Sequence, residues 1–287
     1  MKRAFSLVLS LIIIISTFTT AFGLPSEKNL YNESGKILKD AGILQGSETG
    51  DLMLNQKLKR QDMAVLMSRL YKEESSAKKY LTKDIFKDVN SKFYKPYIYW
   101  ALDKGLIIGV SSDTFGFNNL VTVQQFQTVL LRALGYGEEA KDLDNVSNFS
   151  EALGLMEGLS ATSEQNVERG LMAVMTVNAL KLITKGSSMT LAQKLNINLP
   201  EPFSVNAITT IDKKILKLEG TVTGANTLKI SIKPVSTNIS TKELVIDVPL
   251  KEDGKFSIEI PNLEKGKYEY KFINETQATE LKSITIE

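Results

Sequence analysis

The pattern of apolar and polar positions changes its period part-way along the chain. Up to about residue 185 the apolar residues recur at helical spacing; from about residue 214 they alternate. In the first part, Ile98, Ala101 and Leu102 keep one helical face after Pro96, a residue suited to a first turn, and Gly105 is placed to end that helix. A second helix is predicted from Thr122, where Thr122-Val123-Gln124-Gln125 reads as a capping box, through Phe126, Val129, Leu130 and Ala133 to Gly135. In the second part Leu216/Leu218/Val222, Leu228/Ile230/Ile232, Leu244/Ile246/Val248, Phe256/Ile258/Ile260, Tyr268/Tyr270/Phe272 and Ile284/Ile286 alternate. With Asp253-Gly254 as a hairpin turn signal and Lys265-Gly266 as another turn, they predict a small antiparallel β-sandwich.

The helical part repeats. A gapless shift of 63 residues carries Gly42 onto Gly105, Gly46 onto Gly109, Leu52 onto Phe115, Leu54 onto Phe117, Asn55 onto Asn118, Leu58 onto Val121 and Asp62 onto Gln125. A worn third copy keeps Gly154-x-x-x-Gly158 and Val167-Glu168-Arg169-Gly170-Leu171-Met172, with a loop three residues shorter. The second helices use Met63, Leu66, Met67 and Leu70 in copy one, and Met172, Met175, Val177 and Leu180 in copy three. One helical hairpin cannot bury its own apolar face, so the copies are expected to pack on one another.

The chain opens with Lys2-Arg3, an apolar run from Ala4 to Ile15 and small residues at Ala21 and Gly23, the layout of a secretory signal peptide over residues 1–23. An uncleaved anchor is the other reading, since the run approaches a membrane-spanning length. The expected organisation is a signal peptide (1–23), three helical repeats (24–80, 81–140, and a degenerate third at 141–190), a linker (191–213) and a β-sandwich (214–287). The fold class is thus multidomain, α followed by all-β.

Composition narrows the chemistry. With no Cys and no His, thiolate and imidazole catalysis, disulfides and Cys/His zinc sites are excluded. A net charge of +2 with no basic, aromatic-interleaved stripe gives no argument for nucleic acid. Two carboxylates can be found in any chain with 33 acids, so they are no sign of a glycosidase, and no separate catalytic domain fits beside the two regions. No enzyme, cofactor or metal is expected.

Copy two carries a resemblance. Phe86-Lys87-Asp88-Val89 is similar to the Phe-x-Asp-Val opening of the S-layer homology family, and Phe93 stands about where that family has Trp. Gly105-Leu106-Ile107-Ile108-Gly109 and Thr114-Phe115-Gly116-Phe117-Asn118 resemble its Gly-Ile-Ile-x-Gly and Thr-Phe-x-Pro-Asn. The resemblance covers residues 28–185 and weakens into copy three. It implies an exported, non-enzymatic surface protein whose inter-repeat grooves hold an anionic, often pyruvylated, secondary polysaccharide of a Gram-positive cell wall. The family's Thr-Arg-Ala-Glu binding motif is divided here into Lys59-Arg60-Gln61-Asp62, Thr122-Val123-Gln124-Gln125 and Glu168-Arg169-Gly170-Leu171. The residues it nominates are Arg60, Lys59, Asp62 and Arg169, with Phe93 for stacking on sugar and Asp88. For each Arg a solvated first-turn surface residue is the competing reading; Asp88 could equally cap a turn. Of Phe93, Tyr94, Tyr97 and Trp100, most are expected in the core. The β-region loosely resembles immunoglobulin-like modules, which implies a spacer or a protein-interaction surface and no chemistry. An exported scaffold that has lost polymer binding is the alternative function.

Overall fold

The computed structural model describes residues 27–81, 83–201, 203–212, 214–235, 242–274 and 277–287; the expected signal peptide lies outside them. Among the described residues the architecture is mixed: eight α-helices and one short 3-10 helix, then two antiparallel sheets. Among the described residues no helix is long and apolar enough to cross a membrane.

Copy one contributes α1 (Glu27–Asp40), α2 (Arg60–Leu70) and the short α3 (Glu74–Ala77). Copy two contributes α4 (Tyr94–Asp103) and α5 (Val123–Ala133), and copy three α6 (Val146–Leu153) and α7 (Arg169–Lys181). Each first helix stops in the same way. Gly42, Gly105 and Gly154 have φ of 74°, 68° and 91°, a left-handed conformation that costs glycine least. The following amides of Ile43, Leu106 and Leu155 then reach back to Leu38, Ala101 and Ser150, closing the same C-cap three times. Thr122 and Gln125 form the expected capping box.

The copies do not stand as separate hairpins. α4 packs on α2, α6 on α5 and α1 on α7, so each first helix lies on the second helix of the preceding copy and the last closes on the first. A closed cycle of backbone hydrogen bonds marks the centre. The Leu58 amide donates to the Val167 carbonyl (2.8 Å), Val167 to Val121 (2.8 Å) and Val121 to Leu58 (3.0 Å). Leu58, Val121 and Val167 are buried, as are the equivalent Met63, Phe126 and Met172 one turn into each second helix. One core therefore serves all three copies, which is how short helices with modest apolar faces become stable.

The helical core runs past residue 190. A second capping box, Thr190 with Gln193, starts α8 (Leu191–Lys194), and Leu191 and Ile197 are buried in the same core. The β-region starts earlier than residue 214, with β1 (Ser204–Asp212). The stretch read as linker is therefore mostly structured. β1, β2 (Ile215–Thr223) and β5 (Lys255–Ile260) form one sheet in the order β1-β2-β5. β4 (Leu244–Asp247), β3 (Lys229–Pro234), β6 (Gly266–Ile273) and β7 (Lys282–Ile286) form the other, in the order β4-β3-β6-β7. The inward residues are the alternating ones, and Phe256 of β5 meets Phe272 of β6 edge-on at 5.4 Å across the shared core. Gly254 turns with φ 75°, but its turn delivers β5 to the other sheet and does not pair β5 with β4.

Candidate functional site

Where the three copies meet, a cavity of about 190 Å³ opens beside α2. Ile43, Leu66 and Met172 are among its apolar lining; Asp62, Arg69, Tyr94 and Arg169 supply its polar groups, and Phe93 completes the lining. Tyr94 donates its hydroxyl proton to Asp62 Oδ1 at 2.8 Å. Burial, then this bond and the carboxylate charge, push the Tyr94 pKa up to about 12, so Tyr94 stays a donor across the neutral range. Arg69 donates from Nη2 to Glu74 Oε1 (3.2 Å), while its Nε is buried with no partner among the described residues. An orphaned donor on a charged group is costly and marks a place for an acceptor. Burial lowers the Arg169 pKa; Asp62 opposes that shift and Arg69 adds to it, so the three charges share one field.

The two motif arginines do the same work at two seams. Arg169 donates from Nε to the Leu52 carbonyl (2.9 Å) and from Nη2 to that of Gln45 (2.8 Å). Arg60 donates from Nε to Phe115 (3.0 Å) and from Nη2 to Ile108 (2.8 Å). The acceptors correspond under the 63-residue shift, so each arginine pins the loop of the next copy. Arg60 is 6% exposed and does not line the cavity. Its reading as a solvated surface residue does not hold, because two carbonyls and the Phe115 aromatic face, 5.0 Å away, draw it inward. Arg169 both pins and lines the cavity.

The other nominated residues divide. Asp62 and Phe93 come to the cavity with Arg169; Phe93 is 56% exposed and edge-on to Tyr94 at 4.9 Å. Lys59 is exposed at the start of α2 with its backbone bridged to Leu120. Asp88 is elsewhere. Its carboxylate accepts the amides of Phe115, Gly116 and Phe117 at 2.7–2.8 Å, fixing the loop that Arg60 grips. Burial would raise its pKa, but these amides outweigh that and hold it below the ordinary carboxylate value. Tyr97 and Trp100 are core residues, each 1% exposed. Arg69 is the cavity residue the motif did not nominate; the shift that aligns it with Arg132 was the available signal.

A family model describing the S-layer homology domain matches residues 85–126, the span from the Asp88 turn through the start of α5. These residues match the S-layer homology domain. The domain is the copy that supplies Phe93 and Tyr94 to the cavity and the carbonyls that hold Arg60. Over 149 residues the chain is 28% identical to a middle cell wall protein of Brevibacillus brevis, an alignment covering 51% of this chain and 14% of that relative. A redesigned β-sandwich protein aligns with 30% of this chain and 88% of its own at 18% identity, with a TM-score of 0.20, too low to carry an argument.

The third seam is built differently. Val123, the counterpart of Arg60 and Arg169, is fully buried. Tyr31 of α1 presses on the start of α7 so closely that a Cβ on Gly170 would lie 2.2 Å from its ring. Asn178 stands where Arg69 and Arg132 stand in the other copies, and donates to the Leu155 carbonyl at 3.2 Å as Arg132 donates to Leu106 at 3.0 Å. Neutral side chains thus replace both arginines at this seam.

Proposed function

We propose that the helical unit holds an exported protein on a Gram-positive-type cell wall by seating an anionic wall polysaccharide, of the pyruvylated class among others, in the cavity beside α2. The β-region, an immunoglobulin-like module in this reading, is a spacer or protein-interaction surface, and the protein is not an enzyme. The observation that carries the reading is the convergence of Arg69, Arg169, Asp62, Tyr94 and the exposed Phe93 on one cavity. Guanidinium groups suit carboxylate and phosphate oxygens, Asp62 suits a sugar hydroxyl, and an exposed aromatic rim suits a sugar face. The matched domain and the name of the Brevibacillus brevis relative point the same way. The test is cosedimentation of the full chain with purified wall sacculi. Retention on intact sacculi and its loss after polymer extraction is the expected result; equal sedimentation with both sinks the reading.

A second reading is favoured by one observation: Arg60 and Arg169 are already committed to backbone carbonyls. In that reading the unit is a scaffold that keeps the fold and captures a protein partner. It predicts no loss of protein on polymer extraction and persistent self-association or partner capture.

A further inference from the structure

Among the described residues the two sheets of the β-region have four edge strands, and three of them are guarded. β4 is four residues long, follows Glu243 and ends on Asp247. β5 carries Lys255 and Glu259 and runs into Pro261. β7 is five residues long and opens on Lys282. Short strands, charges and proline are the devices that keep a sheet edge from pairing with another chain. β1 lacks them. It pairs with β2 at nine consecutive positions without a bulge, from Ser204↔Thr223 to Asp212↔Ile215, and no strand of the described residues lies on its other side. Its one charged residue is Asp212, at its end, and it has no proline. Among the described residues no backbone hydrogen bond reaches β1 from outside that ladder, and no helix packs along it. Ile208, at its centre, is 72% exposed and Ile211 is 42% exposed.

We propose that β1 is a self-pairing edge, at which two copies of this chain join their β1 strands antiparallel about a two-fold axis at Ile208. Facing residues of an antiparallel pair share one backbone orientation, so a symmetric pairing centres on a residue, and Ile208 is the centre that uses the whole strand. This register sets Ile208 against its own copy, Val205 against Ile211, Asn206 against Thr210 and Ser204 against Asp212. The exposed isoleucines then meet apolar partners. The two Asp212 carboxylates stand at opposite ends, each facing a serine hydroxyl and not a like charge. A centre at Thr210 would set Ile208 against Asp212, and one at Asn206 would leave Ile211 outside the pair. The ladder adds about eight to ten inter-strand hydrogen bonds and fuses the two β1-β2-β5 sheets into one. Any extended chain offers matching backbone groups, but the side-chain pairs are matched by the strand's own sequence, which makes a second copy the occupant. The inference deepens the reading of the β-region as a protein-interaction surface by naming the partner, and it stands apart from wall binding.

Sedimentation velocity of the full chain over a range of concentrations tests this, with hydrogen–deuterium exchange at both ends of the range. A monomer–dimer equilibrium is expected, in which β1 amides gain protection at high concentration while those of β4, β5 and β7 do not. Ile208→Lys sets two ammonium groups against each other at the axis and should weaken the dimer by about tenfold or more. The side chain it replaces is 72% exposed, so the monomer keeps its fold, which an unchanged thermal midpoint of the dilute chain checks. Ser204→Lys tests the register: it brings a cation to the Asp212 of the second copy and should tighten the dimer by about threefold, an effect that fades with salt. A chain that stays monomeric up to millimolar concentration overturns the proposal, as does a dimer indifferent to Ile208→Lys. Protection of β1 that appears only when a wall-protein extract is added assigns the edge to a foreign strand and overturns it too. A Ser204→Lys dimer no tighter than the unaltered one overturns the register. Cosedimentation with sacculi is a separate readout: a chain that dimerises yet leaves walls unbound loses the wall reading and keeps this one.

Discussion

Arg60 holds Phe115 twice: its Nε donates to the Phe115 carbonyl at 3.0 Å, and its guanidinium carbon lies 5.0 Å over the Phe115 aromatic face. The bond crosses from copy one to copy two, and Arg169 makes the equivalent one from copy three to copy one. A planar cation with several fixed donors can satisfy two carbonyls at once; a lysine ammonium cannot match that geometry. Arg60→Lys should therefore cost about 1–3 kcal/mol. Urea unfolding followed by Trp100, the sole tryptophan and a core residue of the helical unit, measures it. A midpoint equal to that of the unaltered chain would contradict the pin.

Gly170 predicts an inverted substitution effect. Replacing glycine with alanine in a helix ordinarily stabilises by about 0.5–1 kcal/mol. Here the added Cβ would lie 2.2 Å from the Tyr31 ring, so Gly170→Ala should destabilise the unit by about 1–3 kcal/mol. Pairing it with Tyr31→Ala in a double-mutant cycle should remove most of that cost, because the clash then has no partner.

The capped turns and the copy lengths were legible because they are local. Gly105 and the Thr122–Gln125 box state their conformations within a few residues, and a shift of the sequence aligns them. The cyclic packing was not legible. The acceptors of Arg60 are the carbonyls of Ile108 and Phe115, and every residue has a carbonyl, so no side chain announces the bond. β1 escaped for a different reason: its prominent Ile208 points outward at 72% exposure while small Ala207 faces in, which blurs the alternation. α8 was announced by Thr190-Leu191-Ala192-Gln193, the same box as in copy two, within a stretch read as linker. At the site, Asp62, Phe93 and Arg169 came from motif alignment, and Arg69 was missed because the motif ends before it.

Val123 gives a prediction about repair of the family motif. Val123→Arg restores the residue type of copies one and three, yet the position is fully buried and the Glu157 carbonyl that would receive the new group already accepts from Asn178 at 3.0 Å. A buried charge without matched acceptors should destabilise by about 2–4 kcal/mol. Chemical unfolding should show the loss, and wall retention should not rise.

Asp88 predicts an acid-sensitive loop. Its folded pKa lies below the ordinary 3.8, so its contribution is fully present above that value and is lost as pH falls through the lower folded value. Asp88→Asn cannot accept all three amides with charge and should cost about 1–2 kcal/mol at neutral pH, with a smaller difference from the unaltered chain under strongly acidic conditions. Parallel stability curves from pH 7 downward check the sign.

Phe93 offers the most direct measurement on the cavity, because it is 56% exposed at the cavity and its removal leaves the core intact. Retention of Phe93→Ala on intact sacculi should fall by about tenfold, close to 1.4 kcal/mol, while its urea midpoint stays unchanged. Retention equal to that of the unaltered chain would contradict polymer binding at this cavity.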